Sequence, residues 1–156
     1  MLDVSSPAPD FSLPSDEGTP IRLSKLKGRL VVLYFYPKDD TSGCTAEAKD
    51  FSCLMEAFKA AGAEVIGISP DGIASKAKFR KKHELSVRLA ADEERKVVEA
   101  YGVWVEKSMY GRRYMGVERT TFLIDGKGVI AQVWRKVKVK GHAEEVLAAV
   151  RQLGAE

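Results

Sequence analysis

Residues 30–62 read LVVLYFYPKDDTSGCTAEAKDFSCLMEAFKAAG. The run from Leu30 to Tyr36 is nearly all apolar and rich in β-formers, the pattern of a central strand covered on both faces. Pro37 ends it, and a short polar loop leads to Thr41. From about Ser42 to Ala61 the period becomes helical. Phe51, Leu54, Met55 and Phe58 fall at i, i+3, i+4 and i+7, and Gly62 closes the helix. A buried strand that turns directly into a helix is where open α/β sheets tend to carry function. Both cysteines of the chain, Cys44 and Cys53, lie just past this junction.

The alternation continues outward. Glu64 to Ser69 (EVIGIS) reads as a second buried strand, and Pro70 and Asp71 open a helix that runs through KAKFRKKH. Val87 to Ala91 is a short strand. Asp92 is the N-cap of a helix whose apolar side is Val97, Val98 and Tyr101. Trp104, Tyr110 and Tyr114 fall in a predicted loop, as candidates to line a site or pack a contact. Thr120 to Ile124 and Val129 to Trp134 flank Asp125-Gly126-Lys127-Gly128, a hairpin signal. The last helix runs from about His142 to Leu153, with Ala143, Val146, Leu147, Val150 and Leu153 as its buried stripe. Residues 1–29 are turn-rich, with a short hairpin expected there. This order predicts an α/β protein with a mixed central β-sheet flanked by helices on both faces, arranged as a thioredoxin-like fold with an insertion between its halves. A length of 156 residues corresponds to one domain, 1–156.

Composition excludes several classes. With 25 basic and 22 acidic residues the net charge is +3, which is no electrostatic footprint for nucleic acid. No apolar run is long enough to span a membrane. The first residues, with Asp3, Pro7 and Pro9, lack the basic start and apolar core of an export signal. The expected compartment is therefore the cytoplasm, where thiols stay reduced. His83 and His142 are the only histidines. Without C-x-x-C or H-x-x-x-H, neither a metal site nor a cofactor is expected. The basic run Lys76, Lys78, Arg80, Lys81 and Lys82 reads as a solvated face, as does the alternating Lys136, Lys138 and Lys140.

Cys44 falls in the first turn of its helix. Free backbone N–H groups and the helix dipole favour an anion there, and the thiolate is the nucleophilic form of a thiol. The plain alternative is a packed cysteine, since Cys44, Ala48, Phe51, Met55 and Phe58 share the inward stripe. Pro37, Thr41 and Cys44 spell P-x-x-x-T-x-x-C, which resembles the active-site motif of the peroxiredoxins. YFYPKDDTSGCTAEA, EVIGISPD, YGVWVEKSMYGRRYMGVERTTFLID and KVKGHAEEVL resemble the bacterioferritin comigratory protein, or Q-type, branch of that family. The resemblance extends from about Pro9 to Leu153.

The resemblance implies a thiol-dependent peroxidase acting on hydrogen peroxide and organic hydroperoxides. In it, Cys44 attacks one peroxide oxygen and becomes a sulfenic acid, while the Thr41 hydroxyl bonds the peroxide. The always-charged fork of Arg119 lies over the sulfur and the peroxide oxygens. Pro37 shields the sulfur from water, and Glu47 is a candidate to hold the arginine, against a plain reading as a solvated first-turn acid. Thioredoxin or another thiol reductant restores the thiol, no cofactor takes part, and the chain is a monomer.

Cys53 is the candidate resolving thiol, but the sequence departs from the family here. The branch often has a second cysteine five residues after the first, where this chain has Lys49. It otherwise has one in the next helix, where this chain has none. Nine residues of helix put Cys53 roughly half a turn round and roughly 13 Å along from Cys44. A disulfide needs Cα atoms within about 7 Å, so the two could bond only if the helix unwound. Two rival readings stand beside the peroxidase. A thioredoxin-type dithiol oxidoreductase needs C-x-x-C, and Thr41 occupies the first position. A non-catalytic thioredoxin-like interaction or chaperone module would use Cys44 only for packing.

Overall fold

The computed structural model describes residues 2–155. The chain opens with a hairpin of two-residue strands, β1 (Ser12–Leu13) and β2 (Ile21–Arg22), and a 3-10 turn at Leu23–Leu26. Then come β3 (Leu30–Phe35), α1 (Ser42–Cys53), α2 (Met55–Ala60), β4 (Ala63–Ser69), α3 (Ile73–His83), β5 (Arg88–Ala91) and α4 (Lys96–Ala100). The second half contains β6 (Trp104–Met109), β7 (Arg112–Val117), β8 (Thr120–Ile124), β9 (Ile130–Trp134) and α5 (His142–Gly154). The central sheet has the order β5-β4-β3-β8-β9. β3 pairs in parallel with β4 and antiparallel with β8, so the sheet is mixed. This is the expected thioredoxin-like α/β arrangement.

β3 is the middle strand, and its alternation divides the core. Val31, Leu33 and Phe35 face a cluster containing Phe122, the N-terminal hairpin, Val97 and Val98 of α4 and Tyr101 just after it. Val32, Tyr34 and Tyr36 face the other cluster, with Cys44 and Phe51 of α1, Phe79 of α3 and Val146 of α5. Each such side chain fully withdrawn from water contributes roughly 1.5–3 kcal/mol. The site helix is thus clamped on the strand that precedes it. Tyr34 stacks on Phe51 at 4.6 Å between ring centroids. Its hydroxyl lies so close over β4 that a Cβ at Gly67 would come within 2.5 Å of it, so a glycine is required there.

Four details differ from the sequence expectation. The single helix predicted over residues 42–61 is two helices, interrupted at Leu54 (φ −101°, ψ 6°). The cause is tertiary: Ser52 Oγ accepts the amides of Ser86 and Val87, and its carbonyl accepts the Ser86 hydroxyl. The predicted loop holding Trp104, Tyr110 and Tyr114 is the β6–β7 hairpin. Its turn residues Tyr110 and Gly111 both have positive φ (51° and 77°), as a two-residue turn with matching twist requires. Asp92 does cap α4, but from a distance: Oδ2 accepts the amides of Val97 and Val98 at 3.0 and 2.8 Å. Arg95 occupies the residue before the helix. Finally, the basic run on α3 is not wholly a solvated face. Lys76 is fully buried, and Arg80 pairs with Asp16, because acidic partners distant in sequence lie beneath them.

Candidate active site

β3 ends at Phe35, the six residues Tyr36–Thr41 follow, and α1 starts at Ser42 with Cys44 in its first turn. The first helical bond runs from the Thr45 amide to the Thr41 carbonyl at 2.8 Å. The amides of Ser42, Gly43 and Cys44 precede it and have no intrahelical partner, a partial positive charge beside the sulfur. Cys44 is 1% exposed.

Arg119 comes from the far end of the chain. β8 runs antiparallel to β3 with Phe35 opposite Thr120, which carries Arg119 to the carboxyl end of β3. Its carbonyl accepts the Val137 amide at 2.9 Å, pinning the backbone. One arm of the guanidinium, Nη2, donates to Cys44 Sγ at 3.3 Å. The other, Nη1, donates to Glu47 Oε1 at 2.7 Å. The guanidinium passes close to Gly43, where a Cβ would stand 3.2 Å from Nη2 and crowd it.

Glu47 is therefore not a solvated first-turn acid: it is 1% exposed. Its second oxygen, Oε2, is buried without a hydrogen-bond partner. Burial raises its pKa from an ordinary 4.5 to about 7, against the opposing pull of Arg119. A raised carboxyl pKa means that the folded state holds the proton more tightly than the unfolded chain. The associated stability is full below about pH 4.5 and lost as the pH rises through about 7, on the order of 3 kcal/mol in all. His142, held neutral by burial with a pKa lowered from 6.5 to about 4, works in the opposite direction. Its contribution is present above pH 6.5 and is lost as the pH falls. Comparison with Glu47→Gln separates the two. The variant is expected to gain stability relative to the wild type as the pH rises from 4.5 to 7, measured by urea unfolding at each pH. Its peroxide reactivity is expected to fall about tenfold, because the neutral amide holds the guanidinium less firmly.

Thr41 occupies the N-cap position of α1, with extended backbone, but its hydroxyl does not cap an amide. It donates to the Lys38 carbonyl at 3.0 Å, and the residue is exposed. Pro37 is half-buried at the end of β3. Cys53, the last residue of α1, is exposed, and both cysteines are free thiols. The site thus brings Cys44, Arg119 and Glu47 into contact and leaves Cys53 apart.

Three neighbours were given no place in the site by the sequence reading. Gly43 makes room for the guanidinium. Lys107 on β6 has its pKa lowered by burial and by the charge of Arg119, while Glu118 and then Cys44 pull the other way. His142 bonds Thr121 at 2.8 Å under Phe51. Glu47 had a legible signal, since it sits among Cys44, Ala48 and Phe51 on the inward stripe.

Residues 4–133 match the AhpC/TSA family. Peroxiredoxin Bcp of Bacillus subtilis is 46% identical over 152 residues, covering 97% of both chains. A structure of the Xanthomonas campestris bacterioferritin comigratory protein, concerned with that protein's alkyl peroxide reduction activity, superposes with a TM-score of 0.90. It is 40% identical and covers 99% of this chain and 98% of that one. A cysteine-to-serine mutant of PrxQ from Xylella fastidiosa gives a TM-score of 0.93 at 35% identity, over 100% of this chain and 99% of that one.

Proposed function

This chain belongs to the AhpC/TSA family, as a peroxiredoxin of the bacterioferritin comigratory protein type, and from that premise we propose how its residues divide the work of a thiol-dependent peroxidase. Cys44 is the nucleophile. Its thiolate attacks the terminal oxygen of a hydroperoxide; the S–O bond forms, the O–O bond breaks, and the electron pair leaves with the alkoxide or hydroxide, which takes a proton from solvent. The product is Cys44 sulfenic acid. Arg119 stabilises the thiolate and then the charge that develops on the peroxide oxygens, the interaction that most lowers such a barrier. Glu47 holds one arm of the fork so that the other stays on the sulfur. Thr41 presents its oxygen to the peroxide, and Pro37 limits access of water. The observation that carries the reading is the 3.3 Å contact between Arg119 Nη2 and Cys44 Sγ, at a helix N-terminus.

The substrates are hydrogen peroxide and organic hydroperoxides, the reductant is thioredoxin or another thiol, and the protein acts as a single-domain monomer in the cytoplasm. Among the described residues no helix is long and apolar enough to cross a membrane. Regeneration is by an external thiol. Cys44 is buried in the first turn of α1, and Cys53 is exposed at its last residue. An intramolecular disulfide would require most of that helix to unwind. Treatment of the reduced protein with one equivalent of hydrogen peroxide, followed by thiol mapping, is expected to leave Cys53 as a free thiol. Cys53→Ser is expected to keep turnover on dithiothreitol. A Cys44–Cys53 disulfide as the main product would overturn this assignment and make Cys53 the resolving thiol.

A further inference from the structure

The chemistry above makes no use of a second buried cluster of charge. Lys76 of α3 and Asp39 of the β3–α1 loop form an ion pair whose side chains are 0% and 2% exposed. Lys76 Nζ donates to Ser69 Oγ at 2.6 Å, to the Tyr36 hydroxyl at 3.2 Å and to Asp39 Oδ1 at 3.3 Å. Asp39 also accepts the hydroxyls of Tyr36 (2.5 Å) and Ser75 (2.8 Å), and its amide donates to Asp71 Oδ2 at 2.6 Å. Most of these partners belong to the end of β4 or to α3.

The next residue is pinned from the same side. Asp40 has φ +61°, a conformation uncommon for a residue with a side chain. Its carboxylate is held by Lys82 at 2.8 Å and His83 at 2.7 Å, at the end of α3. Thr41 then turns its hydroxyl back to Lys38. The loop that delivers Thr41 and opens α1 is therefore cast against α3. Arg119, just before β8, and Glu47, on α1 itself, form the contacts to Cys44 and to each other, and neither is a hydrogen-bond partner of α3 among the described residues.

A buried ion pair is a poor source of stability, because desolvation offsets the attraction, and an apolar pair of the same volume often does as well. What this pair does achieve is geometric, since it fixes both carboxylate oxygens of Asp39 in the middle of the loop. We propose that Lys76 is a positioning residue for the peroxide reaction: through Asp39 it sets the loop Pro37–Thr41, and with it the place where the Thr41 oxygen and the first amides of α1 meet the substrate. The inference rests on the peroxidase reading. It separates two supports, one from the Arg119 side for the sulfur and one from α3 for the peroxide.

The test measures two reactions of Cys44 in a Cys53→Ser background, well below the melting temperature of each variant. One is the second-order rate with hydrogen peroxide; the other is alkylation by iodoacetamide, which needs the thiolate but not the peroxide geometry. In Lys76→Met the ratio of peroxide rate to alkylation rate is expected to fall by about 10–100-fold, the scale of an ångström-sized misplacement. That variant leaves Asp39 buried and unpaired and loses stability, so Lys76→Met with Asp39→Asn is measured beside it. The double variant is expected to regain melting temperature without regaining the ratio. A ratio within about twofold of the parent in whichever variant folds, or a ratio that recovers with stability in the double variant, makes Lys76 merely structural and overturns the proposal. A parent protein that does not consume peroxide refutes the peroxidase reading itself, which is a distinct outcome.

Discussion

Cys44→Ser is expected to lose peroxide turnover by a factor of about 10³ or more while keeping its fold, as expected when a reaction loses its nucleophile. The substitution is nearly isosteric, and the site is buried beside a guanidinium that can donate to a hydroxyl as it does to sulfur. The cost in stability should be no more than about 1 kcal/mol. A serine hydroxyl at neutral pH is not ionised to any useful extent, so no anion faces the peroxide. The exposed Cys53 remains and reacts only as an ordinary surface thiol, which sets the residual rate. Peroxide consumption with dithiothreitol, read beside circular dichroism and the melting temperature, measures both effects. Unchanged turnover in the serine variant would return Cys44 to a packing role and place the reacting thiol at Cys53.

Arg119→Met is expected to have the second-largest effect, about 10²–10³-fold on the peroxide rate, the scale seen when one aligned donor to a developing anion is removed. Two consequences separate. On the sulfur side, the charge-assisted contact at 3.3 Å disappears. On the carboxylate side, Glu47 is left buried with neither oxygen paired, which is costly for a charged group in such a place. The variant should therefore lose stability chiefly at pH values where Glu47 would ionise, above about 7. Glu47→Gln in the same background should restore the stability without the rate. Arg119→Lys should fall between, since an ammonium lacks the planar fork that reaches sulfur and carboxylate together. The measurements are peroxide kinetics and urea unfolding on each side of pH 7. Equal rates for Met and Arg at position 119 would remove the guanidinium from the chemistry.

The part of this site that is local in sequence was legible. The apolar run at Leu30–Tyr36, the polar loop and the helical period after Ser42 gave the strand–loop–helix junction and put Cys44 in a first turn. Arg119 stands 75 residues from Cys44, and no spacing rule connects them. The antiparallel pairing of β3 with β8 does so, and before the structure only the family resemblance pointed to it. Lys76 failed for a related reason. A lysine in a run of basic residues reads as solvated, and nothing in its neighbourhood announces Asp39, 37 residues away. The break at Leu54 likewise depends on Ser52 meeting Ser86 across 34 residues. The β6–β7 hairpin was missed because Tyr110-Gly111 is a weaker turn signal than Asn-Gly, although Gly111 supplies the positive φ.

Peroxidase action by the proposed route requires transfer of a peroxide oxygen to the Cys44 sulfur beneath Arg119. It is tested most directly by adding limiting hydrogen peroxide to the reduced Cys53→Ser protein in the presence of dimedone and locating the adduct by mass spectrometry. One sulfenic acid adduct on Cys44 per peroxide consumed is expected, lost in Cys44→Ser and greatly slowed in Arg119→Met. Peroxide consumed with Cys44 left unmodified, or Cys44 oxidised no faster than a free surface thiol, would contradict it.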